Sequence, residues 1–328
     1  MNIIDQFTAT AQKNPARIVY PEASDPRILK AVVQVQELKI ARPILIGNPE
    51  QIRTVAKAHH CDLGSMEIID SKNDSRLETY SQIYANKRSL RQAIAQKLVR
   101  KPLSFGGMMV SQGAADGMVA GVATATSIVI QTATLTVGFQ EGLSTPSSFF
   151  IMIIPEFQGE KDKIFLFADS AVNIQPTAQQ LAEIAIASGT NAQALLGIDP
   201  KIAFLSFSTK GSAGHEDADK VLEALDIAKK IKPEFDMDGE LQLDAAIVPS
   251  VAAKKVKEST VAGQANVLIF PDLDSGNIGY KLVQYMANAK AIGPILQGFA
   301  KPVNDMSRGA SVDDLIAVTA ITSVQARG

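Results

Sequence analysis

The chain has 328 residues, of which 46% are hydrophobic and 20% are charged, and its formal net charge is −2. This composition is typical of a folded globular protein, and the length suggests two domains of roughly 150 residues each. A nearly neutral chain without a block of Lys and Arg lacks the electrostatic footprint of a protein that binds nucleic acid or an anionic membrane. We therefore expect neither of these as a partner.

The chain has one cysteine, Cys61, so it forms no internal disulfide. Its N-terminus lacks the basic start and the apolar run of a signal peptide, and no apolar run approaches the roughly 20 residues that a membrane-spanning helix needs. We therefore expect a cytoplasmic protein. His59 and His60 beside this cysteine do not predict a metal site, because adjacent residues on a helix point about 100° apart.

The first part of the chain alternates predicted helices and strands. We expect a helix at residues 2–13, a strand at 18–20, a helix from Pro26 capped by Ser24 or Asp25, a strand at 42–46 and a helix at 52–59. Two helical stretches between residues 80 and 100, a helix ending at Gly113 and a short strand ending near Gly121 follow. This alternation is typical of a parallel sheet covered by helices.

Three hydroxyl side chains, Thr124, Thr126 and Ser127, stand where this strand gives way to the next helix. Ligands of α/β proteins commonly bind at the carboxyl ends of parallel strands, so these residues are candidates for substrate binding. Capping of the helix by a hydroxyl group is the alternative interpretation.

The second part of the chain contains longer apolar runs. Buried strands are expected at residues 149–154, 164–168, 202–207, 267–270 and 291–297, the last being the final strand, and helices at 176–188, 221–231 and 315–324. The residue pattern alone places the start of a second domain just before Phe149.

Two loops in this part have the small residues of ligand-binding turns. STKGSAG follows a strand and carries Lys210, so its backbone N–H groups could cradle a phosphate. It lacks the spacing of a P-loop, and a flexible surface turn is the alternative interpretation. In PDLDSGNIGYK, Gly276 and Gly279 predict a strand-to-helix turn that presents Asn277.

The stretch NDMSRGASVDD, residues 304–314, combines a serine, an arginine and two carboxylates around one glycine. Ser311 followed three residues later by Asp314 has the form of a capping box that opens the closing helix. Ser307 and Arg308 beside a helix N-terminus would offer a hydroxyl, a planar cation and unpaired N–H groups to an anionic or carbonyl ligand. A helix cap with an exposed arginine is the alternative interpretation.

Six motifs together resemble one family. PEASDPRILKA, ADGMVAG, LSFSTKGSA, DGELQLDAAIVP, ANVLIFPDLDSGNIGYK and PVNDMSRGASVDD occur in this order and extend over nearly the whole chain. Agreement of six separate motifs is far more specific than one short pattern. The chain is identified as a member of the phosphotransacetylases, the phosphate acetyl/butyryltransferase family.

The resemblance implies two α/β domains with an active-site cleft between them, an architecture like that of isocitrate and isopropylmalate dehydrogenases, and a homodimer. It also implies a discontinuous first domain, residues 1–141 plus 301–328, that carries the SRG sequence. Residues 142–300 would form the second domain.

The reaction that the resemblance implies is reversible acyl transfer between coenzyme A and inorganic phosphate, with coenzyme A as a substrate and no metal at the reacting centre. Asp314 matches the family's proposed base for the thiol, and Arg308 matches the cation that stabilises the carbonyl oxyanion. Ser307 matches the hydroxyl that holds the sulfur or the phosphate. Direct transfer between two bound substrates needs no enzyme nucleophile.

Two arginines of the family pattern are missing. Gln131 stands where the family has an arginine for the anionic substrate, and a second family arginine aligns with Ala85 or its neighbours. Arg88 replaces the second arginine only if the alignment slips. The cations that remain for phosphate are Arg308, Lys210 and Lys281.

Three functions therefore stay open: a phosphate acetyltransferase, the same chemistry on a longer acyl group such as propionyl or butyryl, or a weakened paralogue that binds coenzyme A or a partner without turnover. A dehydrogenase of the same fold is not supported, because the chain has no G-x-G-x-x-G fingerprint.

Overall fold

The computed structural model describes residues 3–327. The chain forms two compact units, one of Met1–Glu141 with Phe299–Gly328 and one of Gly142–Gly298. Residue 2, where the first helix was expected to begin, lies outside the described residues. No helix within residues 3–327 is long and apolar enough to cross a membrane.

The first unit begins with alternating helices and strands, as the sequence predicts. In order these are α1 (Ile3–Lys13), β1 (Ala16–Tyr20), α2 (Pro26–Glu37), β2 (Ala41–Ile46), α3 (Pro49–Ala58), β3 (Glu67–Ile69), α4 (Leu77–Arg88), α5 (Gln92–Val99), α6 (Pro102–Ser111), β4 (Gly117–Ala120) and α7 (Thr126–Thr136). Strand β3 was not predicted. Helix α3 begins earlier than expected, because the Asn48 side chain accepts a hydrogen bond from Gln51 N and Pro49 starts the first turn.

The second unit is built from β5 (Ser147–Phe157), β6 (Glu160–Ala168), α8 (Ala178–Leu196), β7 (Lys201–Leu205), α9 (Glu216–Ile231), β8 (Asp236–Leu241), α10 (Leu243–Ile247), α11 (Pro249–Lys255), β9 (Val267–Ile269), α12 (Leu273–Met286) and β10 (Lys290–Gln297). Its six-stranded sheet has the order β10-β5-β6-β9-β7-β8. Strand β5 pairs antiparallel with both β10 and β6, and the other pairs are parallel.

The end of the chain returns to the first unit as β11 (Val303–Asp305) and α13 (Val312–Gln325). The first sheet has the order β11-β4-β1-β2-β3, and all its strands are parallel. The Tyr20 hydroxyl and Thr319 Oγ1 of α13 lie 2.8 Å apart in the buried interior. Because parallel strands share one carboxyl edge, the loops after β1, β4 and β11 lie side by side.

The α/β fold with parallel sheets is therefore confirmed, with two corrections. Residues 291–297 are not the final strand, since β11 follows them. Gly276 and Gly279 do not form a strand-to-helix turn but lie inside α12, which Asp272 caps through Ser275 N. Gly276 is needed for packing: a Cβ there would lie 2.3 Å from the Asp169 carbonyl oxygen.

Candidate active site

The SRG loop, residues 306–311, joins β11 to α13 at the carboxyl edge of the first sheet. Asp305 at the end of β11 pairs with Ala120 at the end of β4. The SRG loop therefore lies beside the β4–α7 loop, residues 121–125. The structure thus brings together two candidate segments that are almost 200 residues apart in the sequence.

The predicted capping box at the start of α13 is confirmed. Ser311 Oγ accepts a hydrogen bond from Asp314 N at 3.1 Å, and Ser311 N donates to Asp314 Oδ2 at 2.9 Å. Ser311 Oγ also donates to the same Oδ2 at 2.8 Å. No described residue donates to Asp314 Oδ1, and the residue is exposed. One oxygen holds the helix cap while the other stays free.

The Arg308 side chain is exposed, and it has no hydrogen bond or ion pair with any described residue. Ser307 Oγ accepts a hydrogen bond from Gly309 N at 3.2 Å. No residue within 3–327 accepts a hydrogen bond from the backbone N–H of Ser307 or of Arg308. A guanidinium group and two N–H donors of this loop are therefore available to a ligand.

Arg27 holds the SRG loop in place through hydrogen bonds to its backbone, a role that the sequence did not predict. Its Nη1 donates to the carbonyl oxygens of Arg308 at 2.7 Å and Ala310 at 3.2 Å, and its Nη2 donates to the Val122 carbonyl at 3.0 Å. The remaining donors bind the Asp25 carboxylate at 2.8 and 3.0 Å, which lowers the pKa of that carboxyl group. All five N–H donors of the guanidinium group are thus engaged.

Glu22 fixes the neighbouring loop. Its two carboxylate oxygens accept hydrogen bonds from Val122 N at 2.9 Å and Ala123 N at 3.1 Å. Glu22 and Arg27 both follow the carboxyl end of β1, which is the site-forming edge of a parallel sheet. That position in PEASDPR is the signal that could have identified them.

Asp305 and Gly121 join the ends of β11 and β4. Asp305 is 4% exposed, and its Oδ2 accepts a hydrogen bond from Thr126 Oγ1 at 2.5 Å. Its Oδ1 is buried without a partner among the described residues. Burial raises the pKa of Asp305 from 3.8 to about 6, and the negative charge of Glu22 adds to this increase. Gly121 has φ +101°, and a Cβ there would lie 2.2 Å from Asp305 Oδ1, so only glycine fits.

None of the predicted hydroxyls caps α7. Its N-cap residue is Ala125, which has no side-chain cap, and the Thr126 hydroxyl is directed to Asp305 instead. No described residue accepts from the backbone N–H of Thr126 or Ser127. The alternative interpretation of these hydroxyls as ordinary caps is therefore wrong.

A cavity of about 440 Å³ opens beside the β4–α7 loop. Thr124 and Gln131 line it, whereas Thr126 and Ser127 do not. The other lining residues come mainly from the first turn of α6 and from α7, and they are Pro21, Glu22, Tyr84, Leu98, Lys101, Pro102, Leu103, Ser104, Ile128, Thr132, Leu135 and Thr136.

The cations of the YANKRSL stretch lie at the opposite end of α7. Arg88 donates from Nη2 to the Thr134 and Leu135 carbonyl oxygens at 2.7 and 2.8 Å. Lys87 Nζ donates to the Thr136 carbonyl at 3.3 Å. Ala85 is buried. Arg88 thus caps the C-terminus of α7, which leaves the cavity at Gln131 without an arginine.

Three predicted residues lie in the second unit. Lys210 Nζ forms an ion pair with Asp238 and donates to the Gly239 carbonyl at 2.9 Å. Asn277 Nδ2 donates to the Ser170 carbonyl at 3.1 Å, and its Oδ1 accepts from Lys281 Nζ at 2.7 Å. A phosphate would have to compete with Asp238 for the Lys210 ammonium group.

The part of the chain that the structure describes contains no group of three His, Cys, Asp or Glu side chains arranged to hold a metal ion.

The sequence is similar to known proteins over nearly its whole length. Residues 2–323 match the profile of the family described as phosphate acetyl/butaryl transferase. A phosphate acetyltransferase of Thermoanaerobacterium thermosaccharolyticum is 46% identical over 330 residues, which cover 100% of both chains.

Two solved structures resemble the chain closely. A phosphotransacetylase from Streptococcus pyogenes is 39% identical with a TM-score of 0.93, covering 99% of this chain and 98% of that one. A EutD phosphotransacetylase from Staphylococcus aureus is 37% identical with a TM-score of 0.90, covering 98% and 99%. The expected resemblance is confirmed: the chain is a transferase and belongs to the phosphate acetyl/butaryl transferase family.

Proposed function

We propose that this protein transfers an acetyl group reversibly between coenzyme A and inorganic phosphate. One observation carries the proposal. The SRG loop holds an unpartnered guanidinium group, Arg308, close in sequence to a carboxylate, Asp314, that has one free oxygen. The full-length similarity to curated phosphate acetyltransferases supports the choice of acetyl phosphate as the first acyl phosphate to test.

Asp314 acts as the base. A thiol with an ordinary pKa of about 8.5 must lose its proton before it attacks, and the free Oδ1 of Asp314 accepts that proton. The thiolate sulfur then bonds to the carbonyl carbon of acetyl phosphate, and the bond from that carbon to the phosphate oxygen breaks. Phosphate leaves with its electron pair. The capping box keeps Oδ2 occupied, so the orientation of the carboxylate is maintained.

Arg308 stabilises the negative charge that grows on the carbonyl oxygen during this attack. Ser307 supplies a hydroxyl and an N–H beside it, which hold the sulfur or the leaving phosphate. Because no residue within 3–327 engages the Arg308 guanidinium, it needs no rearrangement before it binds the oxyanion. Both substrates react directly, so no enzyme nucleophile is required.

The start of α7 binds the acyl phosphate. Thr124 and Gln131 contact it from the cavity wall, and Ser127 offers an N–H at the helix start to the part of the substrate that lies outside this cavity. Thr126 contributes its N–H, while its hydroxyl stays with Asp305. Asn277 and Lys281 of the second unit are further candidates to bind coenzyme A or phosphate, and Lys210 joins them only if it leaves Asp238. No step of this mechanism uses a metal ion.

The protein forms a homodimer through α12. Only Gly276 of this 14-residue helix is buried, and four apolar side chains at helical spacing are exposed. These are Ile278 at 56%, Leu282 at 51%, Tyr285 at 77% and Met286 at 80%. Light scattering on Tyr285→Lys tests the proposal, with Leu222→Lys on α9 as the matched control. A dimer that persists in both variants would contradict it.

A longer acyl group is the second candidate. The cavity beside Gln131 is lined by Leu98, Leu103, Ile128 and Leu135, and its volume of about 440 Å³ exceeds what acetyl phosphate fills. A third candidate is a weakened paralogue that binds coenzyme A without turnover. The use of Arg88 at the other end of α7 favours that candidate.

One assay distinguishes the three candidate functions. It measures, by thioester absorbance, the formation of acyl-CoA from coenzyme A and acetyl, propionyl or butyryl phosphate. Preferred turnover of acetyl phosphate that is lost in Arg308→Ala supports the proposal. Preference for butyryl phosphate supports the longer acyl group. No turnover together with retained coenzyme A binding in calorimetry supports the paralogue.

A further inference from the structure

The cavity beside the β4–α7 loop contains one positive charge. Of its lining residues, all of which the structure describes, Lys101 is the single lysine or arginine. Lys101 is exposed, and its ammonium group has no ion pair or hydrogen bond with a residue in the range 3–327. It precedes Pro102 at the start of α6, and it gives this helix no side-chain cap. Its side chain is therefore free to move over the cavity on its flexible stem.

The other cations near this cavity are engaged, except Arg308 of the SRG loop, which does not line the cavity. Arg27 uses all five N–H donors on Asp25 and on backbone carbonyls. Arg88 and Lys87 bind the carbonyl oxygens at the C-terminus of α7. Gln131 brings a neutral amide to the cavity wall. A phosphoryl group in this cavity would thus find its positive partner in Lys101.

Glu22 is the one acidic residue that lines the cavity, and an unbalanced carboxylate there would repel an anion. Both of its oxygens accept hydrogen bonds from the backbone N–H groups of Val122 and Ala123. The two N–H dipoles offset part of the negative charge of the Glu22 carboxylate and so reduce its repulsion of an anion. Glu22 also makes no ion pair with Lys101 within 4.0 Å, so the ammonium group stays available for a ligand.

We propose that Lys101 binds the phosphoryl group of the acyl phosphate, and of inorganic phosphate in the reverse direction, in the cavity that Thr124 and Gln131 line. This assignment rests on the proposed function for the identity of the anion. The Lys101 ammonium group, not a helix N-terminus, provides the positive charge. The Ser104 and Thr124 hydroxyls and the Gln131 amide, which line the same cavity, supply neutral hydrogen bonds to the phosphoryl oxygens.

Lys101→Gln is the first variant, with Lys97→Gln on α5 as the matched control. Lys97 is also an exposed lysine, but it does not line the cavity. We expect Lys101→Gln to raise the KM for acetyl phosphate and for phosphate roughly tenfold, the effect of losing one charge-assisted hydrogen bond. The KM for coenzyme A should stay unchanged. Lys97→Gln should leave all three values unchanged, and Lys101→Arg should retain most of the affinity.

A rescue variant distinguishes recognition from a structural effect. Gln131→Arg in the Lys101→Gln background should lower the KM for acetyl phosphate back toward the wild-type value, because it restores a cation to the same cavity. The gain from Gln131→Arg should be smaller when Lys101 is present, so the two changes should not be additive. Equal KM values in Lys101→Gln and wild type, or additive effects, would overturn the proposal.

Calorimetric titration with inorganic phosphate keeps this test separate from the proposed function. If wild type turns over no acyl phosphate, the proposed function fails, yet weaker phosphate binding in Lys101→Gln than in Lys97→Gln would still support the cavity assignment. Equal phosphate binding in these two variants would overturn it, whether or not the enzyme is active.

Discussion

Two loops of this protein have the same kind of composition and different hydrogen-bonding states. The SRG loop of the first unit and the STKG loop of the second, residues 206–213, each follow a strand and each combine serine, one cation and glycine. In the SRG loop, Arg308 has no partner in the described chain. In the STKG loop, Lys210 is paired with Asp238.

The backbone of the two loops differs in the same way. Six successive N–H groups of the STKG loop, those of residues 208–213, all have acceptors within their own unit. The acceptors are Ser206 Oγ, Ser212 Oγ, Glu240 O, Glu240 Oε1, Thr209 O and Ser208 Oγ, in chain order. In the SRG loop, the N–H groups of Ser307 and Arg308 have no acceptor among the described residues. A loop binds phosphate only through N–H groups that have no acceptor within the protein. By this criterion the SRG loop can bind an anion and the STKG loop cannot in its present conformation.

The largest effect should be the difference in kcat between replacing Arg308 of the SRG loop and replacing Lys210 of the STKG loop. Arg308→Ala should lower kcat about 10²–10³-fold, because it removes the group that meets the developing oxyanion. Lys210→Ala should change kcat far less, since Lys210 is engaged with Asp238. Steady-state kinetics of both variants measures the difference. An equal loss of kcat in the two variants would show that the STKG loop opens during turnover.

The second-largest effect should come from replacing Arg27, which holds the SRG loop in place. Arg27→Met removes three hydrogen bonds to backbone carbonyls, and displacement of the loop should reduce kcat by up to about 10²-fold with a smaller change in KM. Arg17→Met is the matched control. Arg17 also binds a carboxylate, Asp116, and a backbone carbonyl, but at the amino edge of the same sheet.

Both arginine variants should lose stability in urea denaturation, and only Arg27→Met should lose activity. A comparable loss of activity in Arg17→Met would mean that global destabilisation, not loop position, explains the effect.

Asp305, at the end of β11 beside β4, should make the stability of the protein depend on pH. The folded pKa of Asp305, about 6, lies above its ordinary value of 3.8, so the folded protein keeps a proton that the unfolded chain releases between these values. Stability should therefore fall by up to about 3 kcal/mol as the pH rises from 4 to 7. Asp305→Asn keeps an acceptor for Thr126 and cannot ionise, so it should be more stable than wild type above pH 6. Urea denaturation across this range measures it, and parallel curves for the two proteins would contradict it.

The smallest effect should come from the glycines of the two loops. Gly211 has φ +77°, so Gly211→Ala should cost about 1 kcal/mol of stability through backbone strain. Gly309 has no positive φ, and a Cβ there would meet only Ser307 Oγ at 3.7 Å, so Gly309→Ala should leave stability unchanged. Thermal unfolding of both variants tests this. A loss of activity in a stable Gly309→Ala protein would show that substrate approaches this backbone closely.

Neighbouring residues determined much of the structure directly. The caps at Asp25 and Ser311, the first-turn proline of α2 and the buried core of β5 follow from patterns a few residues long, and all are present. The six motifs determined the family and the identity of Ser307, Arg308 and Asp314 as candidates. These features depend on local geometry, which the chain carries wherever it folds.

Only the tertiary structure decided which groups are free. Arg27 and the Arg308 carbonyl that it holds are 281 residues apart, and no local pattern reports that contact. The same is true of the ion pair between Lys210 and Asp238 and of the pairing of the short strand β11 with β4. Whether a donor is available to a substrate depends on every acceptor around it. Folding therefore left the guanidinium of Arg308 without a partner in the described chain and gave the ammonium group of Lys210 one.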